Sequence, residues 1–175
     1  LTRKEFCRVL AQTVSATGDG ESRFSLIFID IMQFKIINNT CGYEGGDTFL
    51  RELAQRLKNF MPVDTLMGRM GADQFALVLD EDAETLGYNN ARELKKMIES
   101  TRFSYDEHSF VINIALALAG FDQDNPKVME LLRSVESATS LSKKTGYKDV
   151  QVVRPGDQQL EKLDEVMGWV NRINR

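Results

Sequence analysis

The chain has 175 residues, with 22 Lys plus Arg against 26 Asp plus Glu, for a formal net charge of −4. That length suits one domain with or without a short appendage, and folding it buries roughly 70% of the unfolded chain's surface. Apolar residues at 42% and charged residues at 27% exclude wholesale disorder, and no apolar run is long enough to span a membrane. The modest acidity argues against holding a nucleic-acid backbone by charge, so an anionic ligand would need backbone N–H groups, a metal or a few local lysines.

Cys7 and Cys41 form no metal or redox motif and are too few for a disulfide framework, which predicts reduced thiols and a cytoplasmic location. The chain begins at Leu1 and ends inside a helical pattern, so it reads as a piece of a longer protein whose other parts include any membrane anchor.

Residues 2–16 place Phe6, Val9, Leu10 and Val14 at helical spacing, and a polar loop follows at 18–22. Phe24 to Ile31 is an almost unbroken apolar run, the pattern of a strand covered on both faces, with Asp30 as its only acid near the C-terminal end. Lys35 to Thr40 read as a connection, Gly42, Gly45 and Gly46 as a turn, and Asp47 as the acidic start of a helix carrying Phe49, Leu50, Leu53 and Leu57. Thr65 to Met70 and Gln74 to Leu79 predict a hairpin around Gly71-Ala72-Asp73. A helix over 83–100, a strand over 110–117, a helix over 127–144 and a short strand over 149–153 complete the order. The result is an α+β, ferredoxin-like βαββαβ core with a central antiparallel hairpin and flanking helices. The domain is assigned to residues 1–155, and residues 156–175 to an appended helix with a stripe of Leu160, Leu163, Val166 or Met167, Val170 and Ile173.

In this arrangement Asp30 and Asp73 come from adjacent central strands. Two carboxylates so placed suit a hard cation such as Mg²⁺, which keeps waters and substrate phosphates as its other ligands. The plainer alternative is a strand-end acid and a turn acid.

The order Phe28-Ile29-Asp30-Ile31-Met32-Gln33-Phe34-Lys35-Ile36-Ile37-Asn38-Asn39, then Gly42-Tyr43-Glu44-Gly45-Gly46-Asp47, then Arg69-Met70-Gly71-Ala72-Asp73-Gln74-Phe75 resembles the signatures of the GGDEF family. That family reads F-I-D-x-D-x-F-K-x-I-N-D, G-H-x-x-G-D and R-x-G-G-[DE]-E-F. Gly45-Gly46-Asp47-Thr48-Phe49 looks like the name motif but belongs to the earlier signature. Active members are diguanylate cyclases, which join two GTP molecules into cyclic di-GMP across a dimer of nucleotide-cyclase-like domains. The resemblance implies Mg²⁺ as the cation, with Asp30, Asp73 and the Ile31 carbonyl as its ligands. It also implies that Asn38 and Asp47 bond guanine, that the N–H groups of Phe34 and Lys35 cradle phosphates, that Ala72 lies against the nucleotide, and that Lys143 reaches the distal phosphates.

The chain departs from the pattern at several of these positions. Gln74 stands where the signature has Glu, and an amide neither accepts a proton as a general base nor adds charge to a metal site. No residue is therefore assigned a catalytic role. Ala72 replaces the second glycine, where a methyl group would intrude on the nucleotide and oppose an unusual φ. Met32 replaces the second acid of D-x-D, Asn39 replaces the Asp after Asn38, and Asn113-Ile114-Ala115 replaces S-I-G. Near the C-terminal end, Tyr147 takes the place of a phosphate-contacting Arg, with Lys148 adjacent. The window Pro62-Val63-Asp64-Thr65 lacks the Arg of the family's product-inhibition motif, so feedback binding of cyclic di-GMP there is not expected.

Residues 160–175, with Trp169 and Arg172-Ile173, also resemble the connector leading from a GGDEF domain into an EAL domain. The leading expectation is an impaired GGDEF module that binds GTP or dimerises, regulates an adjacent EAL phosphodiesterase, and touches neither nucleic acid nor membrane. The alternatives are an active cyclase with a variant signature and a structural spacer that binds a partner.

Overall fold

In the computed structural model, residues 1–16, 23–81, 83–122, 128–146 and 149–153 are described. Strand β1 (Arg23–Ile31) lies at the centre of the sheet, with every residue after Arg23 buried. It pairs antiparallel with β3 (Gln74–Leu79) on one side and β6 (Ile114–Asp122) on the other. β2 (Leu66–Gly71) continues the sheet beyond β3, and β7 (Gln151–Val153) runs parallel to β6, giving the order β2-β3-β1-β6-β7.

Alternation along β1 builds two cores. Ile27, Ile29 and Ile31 join Leu50 and Leu53 of α2 (Phe34–Phe60) and Leu94 and Ile98 of α3 (Tyr88–Ser100). Leu26 and Phe28 face the other way, toward Phe6 and Leu10 of α1 (Arg3–Ala16) and Leu132 and Val135 of α4 (Val128–Thr145). A strand apolar on both faces is what helix layers on both sides require, and each such side chain contributes roughly 1.5–3 kcal/mol on burial. Asp30 has the parity of Leu26 and Phe28, so it belongs to the α4 face.

The N-terminal residues are tied to this frame. Thr2 and Glu5 form a reciprocal capping box: the Glu5 N–H donates to Thr2 Oγ1 at 3.2 Å, and the Thr2 N–H donates to Glu5 Oε2 at 2.9 Å. The Arg69 N–H donates to the Leu1 carbonyl at 2.9 Å, so the chain start lies along the outer edge of β2.

The βαββαβ core is the one expected from the sequence, but several boundaries differ. Residues 35–40 are the first turns of α2 and not a connection. The expected glycine turn is an interruption within that helix, at Gly42 (φ 73°, ψ 175°), and Asp47 sits inside α2 instead of at its start. Gly42 takes a left-handed φ that costs a glycine nothing, so the helix resumes directly. The expected strand over 110–117 is two elements in different sheets: β5 (His108–Val111) pairs only with β4 (Arg102–Tyr105), and β6 begins at Ile114. The helix expected from 83 opens with a π-helical turn, Ala83–Gly87, before α3. The last strand is shorter than expected, Gln151–Val153. The expectations for the loop at 18–22, for Tyr147 and Lys148, and for the helix over 156–175 lie outside the described residues.

Candidate nucleotide and cation site

The tip of the β2–β3 hairpin is a two-residue loop, Ala72-Asp73, between the paired residues Gly71 and Gln74. Among the described residues, only Gln33 and Asp106 combine positive φ with a side chain, so Ala72 meets no backbone penalty. The expected conflict between its methyl group and an unusual φ therefore does not arise. An ordinary turn splays its strands, and a register shift between Arg69 and Gly71 supplies the added twist. Arg69 clamps the loop: its Nε donates to the Gly71 carbonyl at 3.2 Å and its Nη2 to the Ala72 carbonyl at 3.0 Å. Sequence reading assigned Arg69 no such role, although its place just before a tight turn is the signal that could have found it.

The hairpin carries Asp73 to the end of β1. The Ile31 N–H donates to the Asp73 carbonyl at 2.9 Å, and Asp30 pairs with Gln74 across the β1–β3 ladder. Asp30 is 4% exposed. Its Oδ1 accepts from Lys143 Nζ at 2.7 Å, and its Oδ2 accepts from Gln74 Nε2 at 3.2 Å. Lys143 Nζ also donates to Asp73 Oδ2 at 3.4 Å. Burial works against the charge on Lys143, but the hydrogen bond and charge of Asp30, with Asp73 behind them, hold its pKa above the ordinary lysine value. Lys143 lies in the last turn of α4, where the helix dipole favours a cation.

The two expected metal carboxylates thus come together, but around an ammonium. Their donor type suits Mg²⁺, whereas their arrangement does not. Both oxygens of Asp30 already accept protein hydrogen bonds, Gln74 presents its N–H₂ to Asp30, and a divalent ion entering between the acids would have to displace Lys143. No three His, Cys, Asp or Glu side chains converge into a metal-binding group among the described residues.

The positions assigned to phosphate lie at the start of α2. Phe34 and Lys35 are its first residues, so their N–H groups have no acceptor within the helix, and Gln33 before them is left-handed with no side-chain cap. Asn38 lies against Gly46: a Cβ there would come within 1.9 Å of Asn38 Oδ1. The break at Gly42 therefore brings Asn38 beside the residue preceding Asp47. Asp47 is exposed and lines a cleft of about 550 Å³ with Leu50, Arg51, Met67, Arg69 and Phe75. Asn38 is not among the residues lining that cleft. The cleft opens on the α2 face of the sheet and the acid–lysine cluster on the α4 face, with the clamped hairpin tip between them.

Residues 1–149 match the family described as "Diguanylate cyclase, GGDEF domain". The probable diguanylate cyclase DgcE of Escherichia coli is 28% identical over 149 residues, which cover 85% of this chain and 13% of that protein. The chain spans between 13% and 37% of the length of the first three curated relatives it matches. Among solved structures, the GGDEF domain of YfiN (TpbB) from Pseudomonas aeruginosa superposes with a TM-score of 0.80 at 19% identity, covering 92% of this chain and 94% of that one. An EAL/GGDEF domain protein from M. capsulatus gives a TM-score of 0.69 at 26% identity, covering 87% of this chain and 99% of that one.

Proposed function

The chain belongs to the GGDEF domain family, and we propose that it serves cyclic di-GMP signalling as a regulatory module that has lost cyclase chemistry. The observation that carries this reading is the bond from the Gln74 amide to Asp30 Oδ2 at 3.2 Å. The residue at the signature's acid position donates a hydrogen bond where a general base would have to accept a proton. Met32, two residues after Asp30, adds no second acid.

Nucleotide recognition is the part of the family's work that the remaining residues still suit. In this reading Asn38 and Asp47, which the packing of Asn38 on Gly46 brings to neighbouring positions, address the edge of guanine, and the N–H groups of Phe34 and Lys35 face the phosphates. Residues 156–175 lead into an EAL domain whose hydrolysis of cyclic di-GMP this module controls. The likeness to the EAL/GGDEF domain protein from M. capsulatus supports that assignment.

Incubation with Mg²⁺ and GTP followed by chromatography for cyclic di-GMP tests the loss of chemistry, and no product above background is expected. GTP-dependent cyclic di-GMP accumulating above background over many turnovers would overturn it. GTP titration by calorimetry tests the sensor role. Saturable heat is expected, and its absence at millimolar GTP would leave a dimerising or partner-binding spacer.

A further inference from the structure

We propose that Lys143 is the built-in cation of this domain, its ammonium occupying the place between Asp30 and Asp73 where two converging carboxylates would otherwise draw in a divalent ion. Asp30 is almost wholly buried, so both of its oxygens must find partners within the protein, and both do. One partner is the ammonium and the other a neutral amide. With the ammonium in place the two carboxylates carry a single net negative charge, and to meet both of them a divalent ion would have to shed water and also strip Lys143 of its partners.

The lysine is also held in place. Ser142, immediately before it, is 2% exposed and donates from Oγ to Gln151 Oε1 at 2.6 Å, which pins the last turn of α4 to β7. Thr139, one turn earlier, is fully buried. The stem of Lys143 therefore starts from a fixed point and reaches the acids across the α4 face. Gln74 completes the arrangement, since a carboxylate at its position would add a charge that one ammonium could not offset.

This inference concerns the protein without nucleotide, and it fails separately from the proposed loss of cyclase chemistry. A domain that binds a divalent ion yet makes no cyclic di-GMP would sink only the first, and product formation would sink only the second.

The test is titration of the whole chain with Mn²⁺, following free Mn²⁺ by electron paramagnetic resonance. The wild type is expected to retain no stoichiometric Mn²⁺ at submillimolar concentrations. Lys143→Met, which keeps the apolar stem, is expected to gain one site at least about tenfold tighter, because removing the ammonium unmasks two acids. Adding Asp73→Asn to that variant should abolish the gain. A wild type that binds one Mn²⁺ in a manner lost in Asp30→Asn would overturn the proposal, as would an unchanged Mn²⁺ affinity in Lys143→Met. Should Lys143→Met not fold, Lys143→Gln takes its place, and the wild-type titration alone still decides against the proposal if Asp30-dependent binding appears.

Discussion

Lys143 and Asp30, 113 positions apart in the chain, meet at 2.7 Å beside the tip of the β2–β3 hairpin. The pair joins the C-terminal turn of α4 to the central strand, and it is asymmetric: the aspartate side chain is 5% exposed and the lysine side chain 31%. Removing the lysine strands a buried charge, whereas removing both charges does not. Lys143→Met is expected to lower stability by about 2 kcal/mol, less than for a wholly buried pair, and Asp30→Asn added to it should recover most of that loss. Urea unfolding of the two single variants and the double variant measures the coupling, and additive losses would mean that the pair contributes nothing.

Gln74→Glu tests the same cluster from the other side. It would bring a third carboxylate within hydrogen-bonding distance of Asp30, and like charges so close raise the pKa of one of them. A raised carboxylate pKa destabilises the fold when the group is ionised, so the deficit should be full at neutral pH and fade as pH falls below that pKa. A loss of about 1–2 kcal/mol at pH 7 that shrinks toward pH 5 is expected from urea unfolding at the two pH values. Combined with Ala72→Gly, the substitution restores the signature, yet little cyclic di-GMP is expected by chromatography because Met32 and Tyr147 remain.

Gly46→Ala separates binding from folding. A methyl group at this helical position would come within 1.9 Å of Asn38 Oδ1, the end of a side chain that can rotate away. Alanine favours a helix over glycine by up to about 1 kcal/mol, so thermal stability should hold or rise slightly. GTP binding measured by calorimetry should nevertheless weaken at least about tenfold, the scale of one displaced hydrogen bond to guanine. Unchanged affinity would remove Asn38 from the proposed guanine site.

The capping box at the start of α1 gives a pH signature. Hydrogen bonds from the Thr2 backbone and side chain hold the Glu5 carboxyl below its ordinary pKa. A depressed folded-state value stabilises the protein above the unfolded glutamate pKa of about 4.3, and that stabilisation disappears as pH falls through the lower folded value. The melting temperature of Glu5→Ala should therefore lie below wild type at pH 7 and converge with it as pH drops through that window. A constant difference across the range would point to helix propensity and not to the cap.

The sequence made the core legible wherever burial follows a simple period. The apolar run of β1, the hairpin around Gly71-Ala72-Asp73, and helices α3 and α4 all stand near where the pattern placed them. It misled where one pattern serves two partners. Phe110 to Ala117 reads as one apolar strand broken only by Asn113, yet its first half pairs with β4 and its second half with β1. Gly42, Gly45 and Gly46 read as a turn, yet only Gly42 departs from helical geometry.

For the site, the residue types and their order along the signatures determined which chemistry was at stake: two acids, an amide in place of the third, an Asn and an Asp that the resemblance assigns to guanine, and a lysine near the end. Only the tertiary structure decided that this lysine closes on Asp30 and Asp73, because that depends on how α4 is seated against the sheet and on Ser142 being pinned to β7. Spacing along a chain reports which face a residue occupies, whereas an ion pair is set by ångström-scale distances between elements far apart in sequence. The near-neutral balance read at the outset, 22 basic residues against 26 acidic ones, gave no hint that one of those bases sits between two of the acids.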